Sequence, residues 1–245
     1  MKRIKMANIL HIETSTKSCS VAIANKGEII SLIEESDQNY SHAKKLTVFI
    51  NEAIKKAKID FHQLDAVCVS KGPGSYTGLR IGVSTAKGIC YALDIPLIAI
   101  DSLYSLAGFC HEKHSSFISE KADDKGFYLC PMIDARRMEV YSAVYDEHLN
   151  EIMPVNAVII DESSFRELID EKVFFIFGDG ASKCKDVLNH PNLHIIPEVE
   201  SSATGLIKRA YQLFTAKQFE NTAYFEPFYL KDFVAGKPKV KGLYD

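Results

Sequence analysis

The order of predicted strands and helices occurs twice along the chain, and this repeat constrains the fold more than any other feature. Each unit begins with an apolar strand that ends in an acid, Glu13 in the first and Asp134 about 121 residues later. Both units then continue with the same succession of strands and helices. The repeat predicts a duplicated two-lobe α/β fold with βββαβαβα in each lobe.

The predicted elements divide the chain into an N-terminal lobe of residues 1–110, a C-terminal lobe of residues 111–230 and a flexible tail of residues 231–245. The polar stretch 111–125 is predicted to connect the lobes, and the last helix is free to pack back on the first lobe. The first unit is predicted as strands 8–13, 19–24, 28–34, 64–70 and 96–100 and helices 41–58, 77–93 and 102–111. The second is predicted as strands 127–133, 139–145, 151–160, 173–177 and 193–196 and helices 163–170, 181–188 and 202–219.

Helix 77–93 has two faces that both lack charge. At about 100° per residue, one apolar stripe runs from Leu79 through Val83 to Leu93 and suits packing on a sheet. The opposite face carries Ile81, Ser84, Thr85, Gly88 and Ala92. A water-facing helix would normally be rich in Lys and Glu, and an interior glycine costs about 1 kcal/mol. We therefore predict that the second face contacts another polypeptide.

A glycine-rich turn precedes this helix and invites a phosphate-binding interpretation. Its residues are Gly72, Pro73, Gly74, Ser75, Thr77 and Gly78, with Ser75 or Thr77 available to cap the helix. The run lacks the third glycine of a dinucleotide fingerprint and the Gly-Lys-Ser/Thr end of a P-loop. Pro73 also removes one N–H that an anion would use. A capped turn of an ordinary α/β protein remains the alternative.

Composition bounds the class of protein. The net charge of -3 argues against a chain that binds nucleic acid through its bulk charge. Six cysteines lie far apart without a C-x-x-C, which is typical of a reducing compartment. No run approaches the roughly 18 apolar residues of a membrane span, and polar residues interrupt any signal peptide. These features predict a cytoplasmic protein without a membrane partner.

Three motifs together resemble the TsaB family, also called YeaZ, within the actin-like, sugar-kinase and chaperone ATPase (ASKHA) superfamily. They are Ile12-Glu13-Thr14-Ser15, the run from Gly72 to Gly82, and Asp134-Ala135-Arg136-Arg137-x-Glu139-Val140-Tyr141. The resemblance covers nearly the whole chain. It implies a non-catalytic subunit that pairs with the paralogue TsaD and works with the ATPase TsaE to make threonylcarbamoyladenosine on the tRNA adenosine beside the anticodon.

The family's first two helices form a bundle with TsaD, and this implies the partner-binding residues here. It also implies a homodimer through the same helices when the chain is alone, and tRNA contact through the complex. No cofactor is expected on this chain by itself, since ATP or ADP and metal are expected with TsaD and TsaE. The implied partner-binding residues are Val48, Phe49, Glu52, Arg80, Ile81, Ser84, Thr85 and Gly88.

The same resemblance argues against catalysis by this chain. The catalytic paralogue has a His-x-x-x-His metal pair where Ser102 and Leu106 stand here, and leucine cannot bind a metal. We predict no metal site and no catalytic residue. Arg136 and Arg137 occupy the second hairpin, where they either bind an anion or pair with Glu139 on the surface.

Two other functions stay open at this point. A small-molecule kinase or a metallopeptidase of the same superfamily would use Glu13 or Asp134 as its carboxylate. Direct tRNA contact through the tail lysines Lys237, Lys239 and Lys241 is the second possibility, with a solvated end as the alternative.

Overall fold

Two five-stranded sheets form the framework of the protein in a computed structural model that describes residues 7–36 and 42–231. The first sheet contains β1 (Asn8–Glu13), β2 (Ser18–Asn25), β3 (Glu28–Ser36), β4 (Ala66–Gly72) and β5 (Leu97–Asp101). The second contains β6 (Phe127–Asp134), β7 (Glu139–Asp146), β8 (Glu151–Ile159), β9 (Val173–Phe177) and β10 (Leu193–Ile196). The α-helices are α1 (His42–Ala57), α2 (Tyr76–Leu93), α3 (Ser102–Lys113), α4 (Ser115–Lys121), α5 (Arg166–Glu171) and α6 (Ile207–Thr215).

Both sheets have the same topology. The strand order is β3-β2-β1-β4-β5 in the first and β8-β7-β6-β9-β10 in the second. In each, the first strand is antiparallel to the second and parallel to the fourth. Central strands such as β9 are buried throughout, because parallel strands are covered on both faces. The duplicated two-lobe α/β plan predicted from the repeat is confirmed.

The last helix of each unit packs on the sheet of the other unit. Leu103 and Leu106 of α3 lie in a core with Leu129 and Tyr145 of the second sheet. In return, Ala210 and Phe214 of α6 pack against strands of the first sheet. The two lobes are therefore held together by a pair of exchanged helices.

Four sequence predictions fail in detail. The stretch 111–125 is more than a connector: it contains α4, which buries Ile118. Residues 181–188 form only the short 3₁₀ helix Ser182–Cys184 and turns. Helix α5 begins at Arg166, so Ser163 does not cap it, and α6 ends at Thr215. The start of the first predicted helix at Ser41 and nearly all of the predicted tail lie outside the described residues. No helix in the described ranges has the length and apolarity needed to traverse a bilayer.

Candidate partner-binding helix face

The turn before α2 holds the start of that helix against the β1–β2 turn. Ser75 is the N-cap, and its hydroxyl accepts a hydrogen bond from the Gly78 N–H at 3.2 Å. The Ser75 N–H donates to the Ser15 carbonyl at 2.6 Å. The Thr14 hydroxyl donates to the Gly78 carbonyl at 2.8 Å. These bonds, all between buried or partly buried groups, fix where α2 begins.

Glycine is required at two of these positions because backbones meet there. A Cβ atom on Gly74 would lie 2.2 Å from the Ser15 carbonyl oxygen, and one on Gly78 would lie 2.1 Å from the Thr14 carbonyl oxygen. Gly72 donates its N–H to the Ser102 hydroxyl at 3.1 Å. The glycines of the turn thus allow close packing against the β1–β2 turn. Several of the backbone N–H groups that a phosphate would need already make hydrogen bonds within the fold.

Helix α2 buries one face and exposes the other, as its pattern predicts. Val83, Ala86 and Cys90 are buried in the core of the first sheet, and Leu79 is buried on the same face. On the outer side, Ser84, Gly88 and Ala92 are exposed, while Ile81 and Thr85 are half-buried. No heavy atom outside the helix would lie within 4 Å of a Cβ atom added to Gly88. We call Ile81, Ser84, Thr85, Gly88, Tyr91 and Ala92 the outer face of α2.

Helix α1 exposes two of the three residues predicted for it. Val48 is 49% exposed, and Glu52 is exposed beside it on the outer side. The assignment of Phe49 to the contact surface is wrong, because its side chain is only 9% exposed and belongs to the core. Residue 49 lies three positions after the buried Leu46 and four before Ala53, so it shares their inward stripe.

Residues 220–231, which we call the strap, run along one side of α2 without regular structure. Glu220 donates its N–H to the Leu97 carbonyl at 2.9 Å, where the strap begins. Lys87 donates to the carbonyl oxygens of Ala223 and Phe225 at 3.2 and 2.8 Å. The strap therefore covers the side of the helix that carries Lys87 and leaves the outer face open.

Arg80, predicted as a partner-binding residue, is exposed but already has partners within the chain. Its Nε donates to the Tyr229 hydroxyl of the strap at 3.2 Å, and its guanidinium lies 4.3 Å from the centre of the Tyr76 ring. Sequence reasoning missed two exposed aromatic side chains nearby, Tyr91 (89% exposed) and Tyr224 (84%). A tyrosine on the water side of a helix was the available signal for the first.

The cleft between the lobes is narrow and acidic. It contains cavities of about 190 and 50 Å³, whereas sites for organic ligands usually occupy roughly 300–1,000 Å³. Negative charge in the cleft would repel nucleotide phosphates. The charged residues lining the larger cavity are Glu34, Glu35, Glu198, Glu200 and Lys113.

Glu13, one possible catalytic carboxylate, is completely buried. Its Oε1 accepts hydrogen bonds from the Ser15 N–H at 2.7 Å and from the Ser70 hydroxyl at 2.9 Å. Burial raises the pKa of this carboxyl, and the hydrogen bonds only partly offset that effect. In this structure the Glu13 carboxylate is therefore closed off from solvent.

The two positions that the resemblance matches to a metal pair, Ser102 and Leu106, have structural roles in this chain. Ser102 bonds the Gly72 N–H, and Leu106 lies in the second core. The Nε2 atom of His42 lies 2.9 Å from the Thr16 carbonyl oxygen inside the fold. Within residues 7–36 and 42–231, no three or more His, Cys, Asp or Glu side chains come together as a metal site.

The second hairpin departs from the prediction that its arginines pair with Glu139. The carboxylate of Glu139 pairs with Lys231 of the strap, and Asp134 pairs with Lys183. Arg136 and Arg137 are exposed at the tip. The pairing of the arginines with Glu139 is therefore wrong, and the anion-binding alternative is left.

Residues 32–163 match the family described as TsaD: tRNA N6-adenosine threonylcarbamoyltransferase. The chain is 26% identical to the tRNA threonylcarbamoyladenosine biosynthesis protein TsaB of Escherichia coli K12, over 94% of this chain and 96% of that protein. It is 30% identical to the TsaB of Buchnera aphidicola subsp. Schizaphis graminum, over 72% of this chain and 80% of that protein.

Other relatives align over less of their length. The alignment with Haemophilus influenzae TsaB, 31% identical, covers 67% of this chain and 63% of that protein, so it spans less than two thirds of that relative. Among solved structures, YeaZ from Pseudomonas aeruginosa superposes with a TM-score of 0.78 at 22% identity, over 92% of this chain and all of that one. This likeness extends the shared fold over both lobes.

Proposed function

The chain belongs to the TsaB family of tRNA threonylcarbamoyladenosine biosynthesis proteins, and we propose that it is a non-catalytic subunit that dimerises with a TsaD-like paralogue. The observation that carries the proposal is the outer face of α2, which is uncharged and open to solvent. Small residues such as Ser84 and Gly88 let a second helix approach closely, and little charge has to be desolvated when it does.

The contacts that fix the position of α2 support a docking role. Close backbone contacts at Gly74 and Gly78 hold the helix start, and the strap holds one side. A surface that is already in its bound geometry loses little conformational entropy on association. Val48 and Glu52 of α1 extend this surface, since the first two helices lie next to each other.

The interior of the cleft supports the absence of chemistry on this chain. The carboxylate of Glu13 is sealed, and the cavities are small and lined mainly by acids. In this proposal ATP or ADP and metal belong to the TsaD-like and TsaE-like partners, and tRNA is reached through the complex. The same outer face forms a homodimer when the paralogue is absent, because exposed surfaces of this kind favour burial. The place of action is the cytoplasm, where tRNA is modified.

The test is a charge placed on the outer face. Ser84→Lys should abolish association with the TsaD-like paralogue in titration calorimetry, because an ammonium group would be buried without a partner. Ser119→Lys on α4 is the matched control, since Ser119 is also an exposed helical serine. Ser84 is a better position than Ile81, which packs partly on the core. Unchanged affinity of Ser84→Lys would reject the assignment of this face.

A second assay addresses the complex. Purified TsaD-like and TsaE-like proteins should modify tRNA only when this chain is added, and Ser84→Lys should fail to restore modification. ATP turnover by the isolated chain that Glu13→Gln abolishes would instead favour an enzyme.

A further inference from the structure

The turn between β6 and β7 places two arginines in an unfavourable backbone conformation. Arg136 has φ 72° and Arg137 has φ 51°, both in the left-handed region that glycine and asparagine adopt most readily. Both side chains are exposed, so packing does not compensate for the strain. Of the nine non-glycine residues with positive φ in the described ranges, only Arg136 and Arg137 are consecutive. Two adjacent exposed residues that both carry this strain point to a role for their side chains.

The charges around this turn leave the two guanidinium groups available. Asp134 pairs with Lys183 and Glu139 with Lys231. A third acid, Asp179, accepts the Asp134 N–H at 2.9 Å and faces Lys17 and Lys183. Arg136 donates its backbone N–H to the Asp134 carboxylate at 3.1 Å. Among the residues that the structure describes, neither guanidinium group of the turn makes an ion pair or a hydrogen bond. Five cations thus meet three acids, which leaves a local positive excess on a chain of net charge -3.

We propose that this arginine turn, Arg136 and Arg137, binds the phosphodiester backbone of the RNA substrate. The inference rests on the proposed function, which brings tRNA to the complex. A guanidinium group presents a fork of donors that matches phosphate oxygens, and contacts to phosphate position a nucleic acid without reading its sequence. The turn is an open hairpin tip, and the nearest cavity measures about 50 Å³, which is too small for a nucleotide. An extended polyanion suits this shape better than a nucleotide held in a pocket.

The key variant replaces the turn by the sequence its backbone favours. Arg136→Asn with Arg137→Gly removes both charges and relieves the strain, so the melting temperature should stay the same or rise. The matched control is Lys26→Asn, because Lys26 is an exposed cation at another hairpin, has φ 54° and precedes Gly27. That change also creates an Asn-Gly turn and removes a cation far along the chain from the proposed contact.

The assay is fluorescence anisotropy of labelled tRNA with the complex of all three proteins and with this chain alone, at several salt concentrations. The plot of log affinity against log salt falls with a slope of about −0.9 for each phosphate contact. Loss of two contacts in the double variant should therefore make this slope shallower by about 1.8. Its affinity at low salt should fall at least tenfold, and the control should match the wild type. Unchanged slope and affinity in a folded double variant would overturn the proposal.

Two further outcomes separate this inference from the proposed function. A double variant that loses partner association but binds RNA normally would make the turn a protein contact and overturn the inference. A wild-type chain that failed to associate with the paralogue would overturn the proposed function instead. The slope measured on the chain alone would then still decide whether the arginine turn binds RNA.

Discussion

Replacing Gly88 by alanine should stabilise the free chain while weakening its association with the paralogue. Gly88 lies in the interior of α2, and an added Cβ would meet no heavy atom within 4 Å outside the helix. Alanine in a helix interior is favoured over glycine by about 0.5–1 kcal/mol. For 245 residues the entropy of unfolding is about 0.5 kcal/mol per kelvin, so the melting temperature should rise by about 1–2 °C.

The effect on binding has the opposite sign. A methyl group inserted where two helix backbones meet costs about 1–3 kcal/mol, which corresponds to an affinity loss of about 5- to 150-fold. Gly88→Leu should lose more. Differential scanning fluorimetry of the free chain, at a concentration low enough that it is monomeric, and titration calorimetry with the TsaD-like partner measure the two effects separately.

Gly108→Ala provides the matched control, because Gly108 is also interior to a helix, α3, and its added Cβ would have only ordinary contacts from 3.6 Å. It should raise the melting temperature similarly and leave association unchanged. The reasoning fails if Gly88→Ala and Gly88→Leu both bind as tightly as the wild type. It also fails if Gly88→Ala lowers the melting temperature, since the space beside Gly88 would then not be open.

Three other predictions concern the interior. Gly78→Ala should destabilise the chain by about 2 kcal/mol or more in urea unfolding, because its Cβ would lie 2.1 Å from the Thr14 carbonyl oxygen; wild-type stability would contradict this. Burial lowers the pKa of His11 to about 4, so the unfolded state binds more protons between pH 4 and 6.5 and stability should rise with pH through that window. Because of His11, the free energy of unfolding should be about 3 kcal/mol higher above pH 6.5 than below pH 4. The His11→Asn variant should show a flatter dependence of stability on pH, and an unchanged profile would refute the assignment. Glu13→Gln should be at least as stable as the wild type at pH 7, because the wild type buries a carboxylate on folding and the variant does not. Below pH 4.5 the carboxyl is neutral in the folded and the unfolded state, so the advantage of the variant should disappear. Urea unfolding at both pH values checks this, and a variant less stable than the wild type at pH 7 would contradict it.

The strands could be predicted well from sequence because each apolar run ends at a clear break. The bounds of β1, β9 and β10 match the predicted ranges, and the Asn25-Lys26-Gly27 turn joins β2 to β3 as its residues indicate. Helix α2 was also predictable, since Ser75 caps it and its apolar stripe is regular. These features are local, so short-range sequence contains them.

The failures come from interactions between distant parts of the chain. Helix α4 is polar apart from a few residues, and it forms where Ile118 finds a core supplied by the second sheet. Phe49 is buried because α1 covers the first sheet with a broader stripe than the pattern suggested. The strap has no periodicity, and only its bonds to α2 place it. At the candidate site, the uncharged outer face of α2 could be predicted from the sequence, but the hydrogen bond from Arg80 to Tyr229 could not.

Because α3 and α6 each pack on the sheet of the other unit, we expect that neither half of the chain folds on its own. A fragment ending near residue 122 would carry α3 with its apolar side bare, and the remainder would leave the first sheet without α6. A polypeptide cut at that point would stay one particle. The two repeated units could therefore diverge in sequence, but they could not separate into independent proteins, because each covers the sheet of the other.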